Sequence, residues 1–197
     1  YGDPRAPTKL GAGGGYGNGG GEPGGSGGGR VKLTAAELVL DGSVLARGGA
    51  FDQANRNGGG GAGGSVWLTV SALSGGGAID ASGGDGLVDA GAGGGGGRVA
   101  IVWEGDTTFD VDAIEVHGGA SVQAPGGPGT LYLDSDGVDR LVVDNNGAAN
   151  KNETAPWPEL GLRTVTAAQS DRVTVDGALV PEALVGLELV FGNGTQR

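Results

Sequence analysis

Gly63-Gly64-Ser65-Val66-Trp67-Leu68-Thr69 decides the reading of this chain, because the phrase comes back. Gly28-Gly29-Arg30-Val31-Lys32-Leu33-Thr34 precedes it and Gly96-Gly97-Arg98-Val99-Ala100-Ile101-Val102 follows it. A shorter version, Gly129-Thr130-Leu131-Tyr132-Leu133, closes the series. The openings at Arg30, Ser65, Arg98 and Thr130 lie 35, 33 and 32 residues apart. A period in this range marks a solenoid, propeller or array. Within each phrase the apolar residues alternate: Val31, Leu33 and Ala35, then Val66, Leu68 and Val70, then Val99, Ile101 and Trp103. Alternation of this kind marks half-buried strands.

A second strand is expected in each repeat, ending at the pairs Gly48-Gly49, Gly83-Gly84 and Gly118-Gly119. Val44 and Ala46, Ile79 and Ala81, and Ile114 and Val116 form its inward columns. Stacking like on like buries a continuous core. The Gly pairs read as corners, since glycine lets backbones approach closely. Glycine-rich runs follow at the same place in each repeat: 58–64, 91–97 and the thinner 125–129, with a longer run at 11–29 before the first. Flexible loops would account for them. So would extended polyproline-II-like segments packed side by side, an arrangement that only glycine permits. Runs kept in register favour the second.

Composition agrees with this architecture. Glycine supplies 48 of 197 residues, so stability must come from backbone hydrogen bonds and narrow columns of Val, Leu and Ile. A net charge of −11 disfavours nucleic acid and anionic lipid as partners. The absence of cysteine excludes disulfides and thiolate metal sites. No apolar run is long enough to insert in a membrane. No helix period is visible. The pattern changes near Asn145, giving a solenoid over 1–147 and a β extension over 148–197 with strands expected at Leu162–Ala167, Arg172–Asp176 and Leu184–Val190. Both ends read as cut from a longer chain.

Candidate chemistry is sparse. Asp134, Asp136 and Asp139 in Asp134-Ser135-Asp136-Gly137-Val138-Asp139 resemble the start of an oxygen-rich calcium loop, although the closing glutamate is missing. Gly83 to Asp89 resembles a single calcium-binding nonapeptide repeat with its aspartate one place late, and reads better as a corner. No glycine run continues into Gly-Lys-Ser or Gly-Lys-Thr, so a phosphate loop is disfavoured. His117 has no convergent partner in the sequence and reads as a surface residue. Asp80, Asp112 and Glu115 are the carboxylates least unsuited to glycoside cleavage. Lys32, Trp67 and Tyr132 share one outward column, which offers a platform for a sugar or a partner unless another layer covers it. Phe51, Asn55 and Asn57 lie on a loop tip that an adhesin would use to bind a glycan or receptor. The sequons at Asn152 and Asn193 read as incidental.

Gly-Gly-Arg-Val-Lys-Leu-Thr (28–34), Gly-Gly-Ser-Val-Trp-Leu-Thr (63–69), Ala-Ile-Asp-Ala-Ser-Gly-Gly (78–84) and Gly-Pro-Gly-Thr-Leu-Tyr-Leu (127–133) resemble the glycine-rich repeats of large bacterial surface and secreted adhesin-like proteins, in the style of filamentous haemagglutinin. More loosely, they resemble the polyglycine-sandwich tips of phage tail-fibre adhesins. The resemblance covers about residues 10 to 147. It implies an extracellular, non-catalytic module, a stalk or self-associating fibre subunit, whose partners are neighbouring copies or adjacent domains. It carries over no binding residues. The expected fold is an all-β, right-handed, glycine-rich β-solenoid of three to four turns with a short β extension. The alternatives are an adhesin domain and a solenoid glycosidase or lyase.

Overall fold

The computed structural model describes residues 2–17, 23–51, 58–86, 91–144, 146, 165–168 and 173–175. The chain divides into two units, 1–151 and 152–197. It is all-β, and one 3-10 turn at Val111–Ala113 is the single helical element among the described residues.

In the first unit the first three repeats each contribute a long strand and a short one, and the fourth a long strand. The long strands β1 (Arg30–Val39), β3 (Ser65–Ser74), β5 (Arg98–Trp103) and β7 (Gly129–Ser135) lie side by side and parallel. The short strands β2 (Ser43–Leu45), β4 (Ala78–Asp80) and β6 (Ile114–Glu115) form a second parallel sheet. Arg30 pairs with Ser65, Ser65 with Arg98 and Arg98 with Thr130, so the repeat openings are true register partners. Val44 pairs with Ile79, and Ile79 with Ile114. Neither sheet closes on itself.

Register turns the sequence columns into the core. Val66, Leu68, Val99, Ile101, Ile79 and Val116 are fully buried, and Trp103 joins them. Burying each such side chain contributes about 1.5–3 kcal/mol, which offsets part of the entropy cost of so much ordered glycine. The first repeat differs. Val31, Ala35 and Leu38 are half-buried and Leu33 is 36% exposed, because β1 is an edge strand.

The other end of the long-strand sheet is turned back. Strand β8 (Val138–Asp144) returns antiparallel along β7. Asp136 and Gly137 both take positive φ, 52° and 79°, as the tight hairpin requires. A cleft of about 190 Å³ lies where a fourth short strand would stand, lined by Val111, Ile114, Val116, Leu131 and Val142.

The glycine runs are ordered main chain. Gly60 and Gly63 donate N–H bonds to Ala92 and Gly95 in the next run, Gly61 and Gly64 to Gly49 and Ala46, and Gly59 and Ala62 to Gly15 and Ala12. The direction of donation repeats every third residue. A side chain has no room there: a Cβ on Gly60, Gly61, Gly63 or Gly64 would run into a neighbouring carbonyl.

In the second unit β9 (Val165–Ala168) and β10 (Val173–Val175) pair antiparallel, with a register irregularity between Thr174 and Val175. β10 falls within the expected Arg172–Asp176, and β9 overlaps the expected Leu162–Ala167 and runs one residue past it. The third, Leu184–Val190, lies outside the described residues.

Candidate functional site

The acidic turn expected to suit calcium folds as a hairpin. Asp134 Oδ1 accepts the Gly137 N–H at 3.0 Å, which fastens the turn. Asp136 reaches away and accepts the Gly105 N–H at 3.0 Å. Asp139 accepts the Tyr132 hydroxyl at 2.7 Å and pairs with Arg5 at 3.6 Å. The three carboxylates share no partner, and no group of acidic or histidine side chains suited to a metal occurs among the described residues.

The aromatic platform is also corrected in part. Tyr132 is only 4% exposed, because residues 2–9 cross the outer face of the long-strand sheet. Arg5 lies over the Tyr132 ring at 5.8 Å, and Pro7 is fully buried. The Lys9 carbonyl accepts from Ser65 Oγ at 2.6 Å, and the Thr8 carbonyl from Arg30 at 3.4 Å. The cover over Tyr132 is therefore this N-terminal strap and not a glycine layer. Burial first, then the hydrogen bond to Asp139 and the charges of Asp139 and Asp134, push the Tyr132 pKa well above its usual value; Arg5 opposes them. Trp67 remains half-buried, with the Lys32 ammonium 3.8 Å from its ring centroid. That geometry is a cation–π contact, while the Trp67 indole N–H is buried without a hydrogen-bond partner among the described residues.

Phe51 is buried, not displayed. Its ring fills the space beside Gly58, where a Cβ would strike it, and its N–H donates to Asp85. Asn55 and Asn57 lie outside the described residues. Asp80 and Glu115 are register neighbours on the short-strand sheet. Asp80 accepts from the Ser82 N–H at 2.8 Å and pairs with Arg47 at 3.8 Å, while Glu115 lies 3.8 Å from His117. Asp112 sits in the 3-10 turn, its N–H capped by Asp110.

The built feature that sequence reasoning missed is the outer surface of the glycine runs. Residues 11–15 lie in a groove between runs 24–29 and 58–64, held by main chain alone. Gly11 and Gly14 donate to Gly28 and Gly25 at 2.9 and 2.8 Å. Gly15 and Ala12 accept from Gly59 and Ala62 at 3.1 and 2.8 Å. The groove selects glycine, since a Cβ on Gly11 or Gly14 would enter the Ala62 or Gly59 carbonyl.

The last run ends the pattern. Register places Pro125 and Pro128 where Gly60 and Gly63, then Gly93 and Gly96, donate to the following run. Proline has no N–H, so no donor is orphaned there. Two prolines three residues apart were the sequence signal for this edge. No family model, curated protein or solved structure matches the chain.

Proposed function

We propose that the first unit is a glycine-rich β-solenoid, with its glycine runs packed as a polyglycine-II layer, and that it serves as a rigid stalk module of an extracellular bacterial surface protein. The observation that carries the reading is the common register: long strands, short strands and glycine runs all step by one repeat together. Donation whose direction repeats every third residue fits the threefold polyglycine geometry, about three residues per turn. Such a stack bears load through backbone hydrogen bonds and core columns, which suits a spacer.

The stalk is preferred to a self-associating fibre subunit. Fibre growth needs both ends of the stack open, as heterologous contacts do. Here β8 runs antiparallel along β7, and Pro125 and Pro128 withhold the donors of the next run. Light scattering over a concentration series, with negative-stain microscopy of the same samples, tests this. The stalk reading expects monodisperse particles throughout. Filaments of uniform width would replace it with a fibre subunit, and saturable binding in a glycan screen would replace it with an adhesin.

A further inference from the structure

The groove filled by residues 11–15 has a counterpart one repeat on that none of the described residues fills. We propose that the groove between runs 58–64 and 91–97 docks an extended glycine-rich main chain from another polypeptide, with glycine at the two positions that Gly11 and Gly14 occupy in the filled groove.

Repeat equivalence supplies the argument. In the filled groove the acceptors are Gly25 O and Gly28 O, and the donors are Gly59 N–H and Ala62 N–H. The strand register carries these to Gly60 O, Gly63 O, Ala92 N–H and Gly95 N–H. The neighbouring amides point elsewhere: Gly93 and Gly96 donate to Ala124 and Gly127, and Gly94 and Gly97 donate to Gly84 and Ala81. None of the four groove-facing groups has a hydrogen-bond partner among the described residues. Ala92 is exposed, and a Cβ on Gly95 would meet no atom within 4 Å. The same four-group pattern therefore recurs there without a hydrogen-bond partner among the described residues.

The chemistry of the guest follows from that of the groove. Its recognition groups are backbone amides and carbonyls, so the guest is selected by conformation and by the lack of a side chain, as in main-chain strand addition. A polyproline-II-like chain presents donors and acceptors at every third residue and matches the spacing. A guest Cβ at either inward position would meet the carbonyl or amide of a run, as it would for Gly11 and Gly14. In the free protein residues 11–15 are already held by their own groove, so docking does not require the protein to associate with itself.

The proposal rests on the ordered glycine layer, and its test separates the two. The probe is a synthetic peptide of residues 10–17, Leu-Gly-Ala-Gly-Gly-Gly-Tyr-Gly, titrated at millimolar concentration into the intact chain while amide shifts and exchange are followed. The expected result is a saturable shift confined to the Ala92 and Gly95 amides and their neighbours. Exchange at those two amides slows about tenfold when the peptide stands at roughly ten times its dissociation constant. A peptide with valine at the positions of Gly11 and Gly14 does not bind. The variant Ala92→Pro/Gly95→Pro deletes both donors, keeps the extended φ that a polyproline-II run needs, and abolishes binding. Slow exchange at Gly93 and Gly94 in that variant shows that the layer is intact. No shift with the wild-type peptide, while Gly93 and Gly94 stay protected, overturns the docking proposal alone. Fast exchange throughout 91–97 overturns the ordered layer as well. Equal binding of the valine peptide overturns the main-chain basis of selection.

Discussion

Gly94 and Gly95 are neighbours in one run of five glycines, and the structure gives them opposite fates when each becomes alanine. The Gly94 N–H donates to Gly84 O, and Gly94 O accepts from Gly119, both at 2.8 Å. A Cβ there would enter the carbonyl of Gly61, a backbone group that cannot swing aside. The runs must separate. Two hydrogen bonds lost at about 0.5–1.5 kcal/mol each come to about 1–3 kcal/mol. Overpacking adds about 1–3 kcal/mol. Gly94→Ala therefore destabilises by about 2–6 kcal/mol, a large share of the roughly 5–15 kcal/mol typical of a domain. Gly95 has φ outside the left-handed region and open space at its Cβ. Alanine there restricts the unfolded chain and stabilises by about 0.4–1 kcal/mol. Urea unfolding of the two variants reads the difference. With a slope of about 2 kcal/mol per molar, the Gly94→Ala midpoint falls by about 1–3 M, and the Gly95→Ala midpoint holds or rises. Equal midpoints for the two variants would refute the reasoning, because a loose glycine linker cannot distinguish adjacent positions.

Three further outcomes are expected. The Tyr132 hydroxyl keeps its proton in the folded state at a pH where an unfolded tyrosine, with a pKa near 10, has lost it. The unfolded state then binds fewer protons, so stability falls above about pH 10 by up to about 1.4 kcal/mol per pH unit, and Tyr132→Phe removes that slope in denaturation series against pH. Pro125→Gly/Pro128→Gly restores two outward donors at the end of the glycine layer; it costs about 0.4–1 kcal/mol per site through the unfolded chain and brings concentration-dependent association in light scattering that the native chain lacks. Millimolar calcium leaves the urea midpoint unchanged, since Asp134, Asp136 and Asp139 point to separate partners; a midpoint rising with the logarithm of calcium concentration would contradict that geometry.

The long strands and their core were legible because side-chain alternation reports directly on which face is buried. Arg30, Ser65, Arg98 and Thr130 could be aligned by eye, and they pair across the sheet. The glycine runs were less legible. A glycine carries no side chain, so residues 93–97 read the same at every position although two neighbours meet different surroundings. The faint signals were small residues in the open phase, Ala62, Ala92 and Ala124, and the paired prolines 125 and 128. The strap was missed because Asp3-Pro4-Arg5-Ala6-Pro7 has no period, and its docking depends on Tyr132 and Asp139, more than 120 residues away. The arrangement of the acidic turn was not legible for a local reason: Asp136 and Gly137 take positive φ in a tight turn, and the flanking carboxylates reach different partners. Phe51 looked like a displayed tip because nothing in the sequence places Gly58 against its ring.

Residue-resolved amide hydrogen exchange across residues 91–97 of the native chain tests the central claim most directly. The account predicts slow exchange at Gly93, Gly94, Gly96 and Gly97, whose N–H groups are bonded to neighbouring segments, and fast exchange at Ala92 and Gly95, whose N–H groups have no partner among the described residues. Uniformly fast exchange along the run would contradict the ordered glycine layer, and with it the stacked architecture on which the proposed function rests.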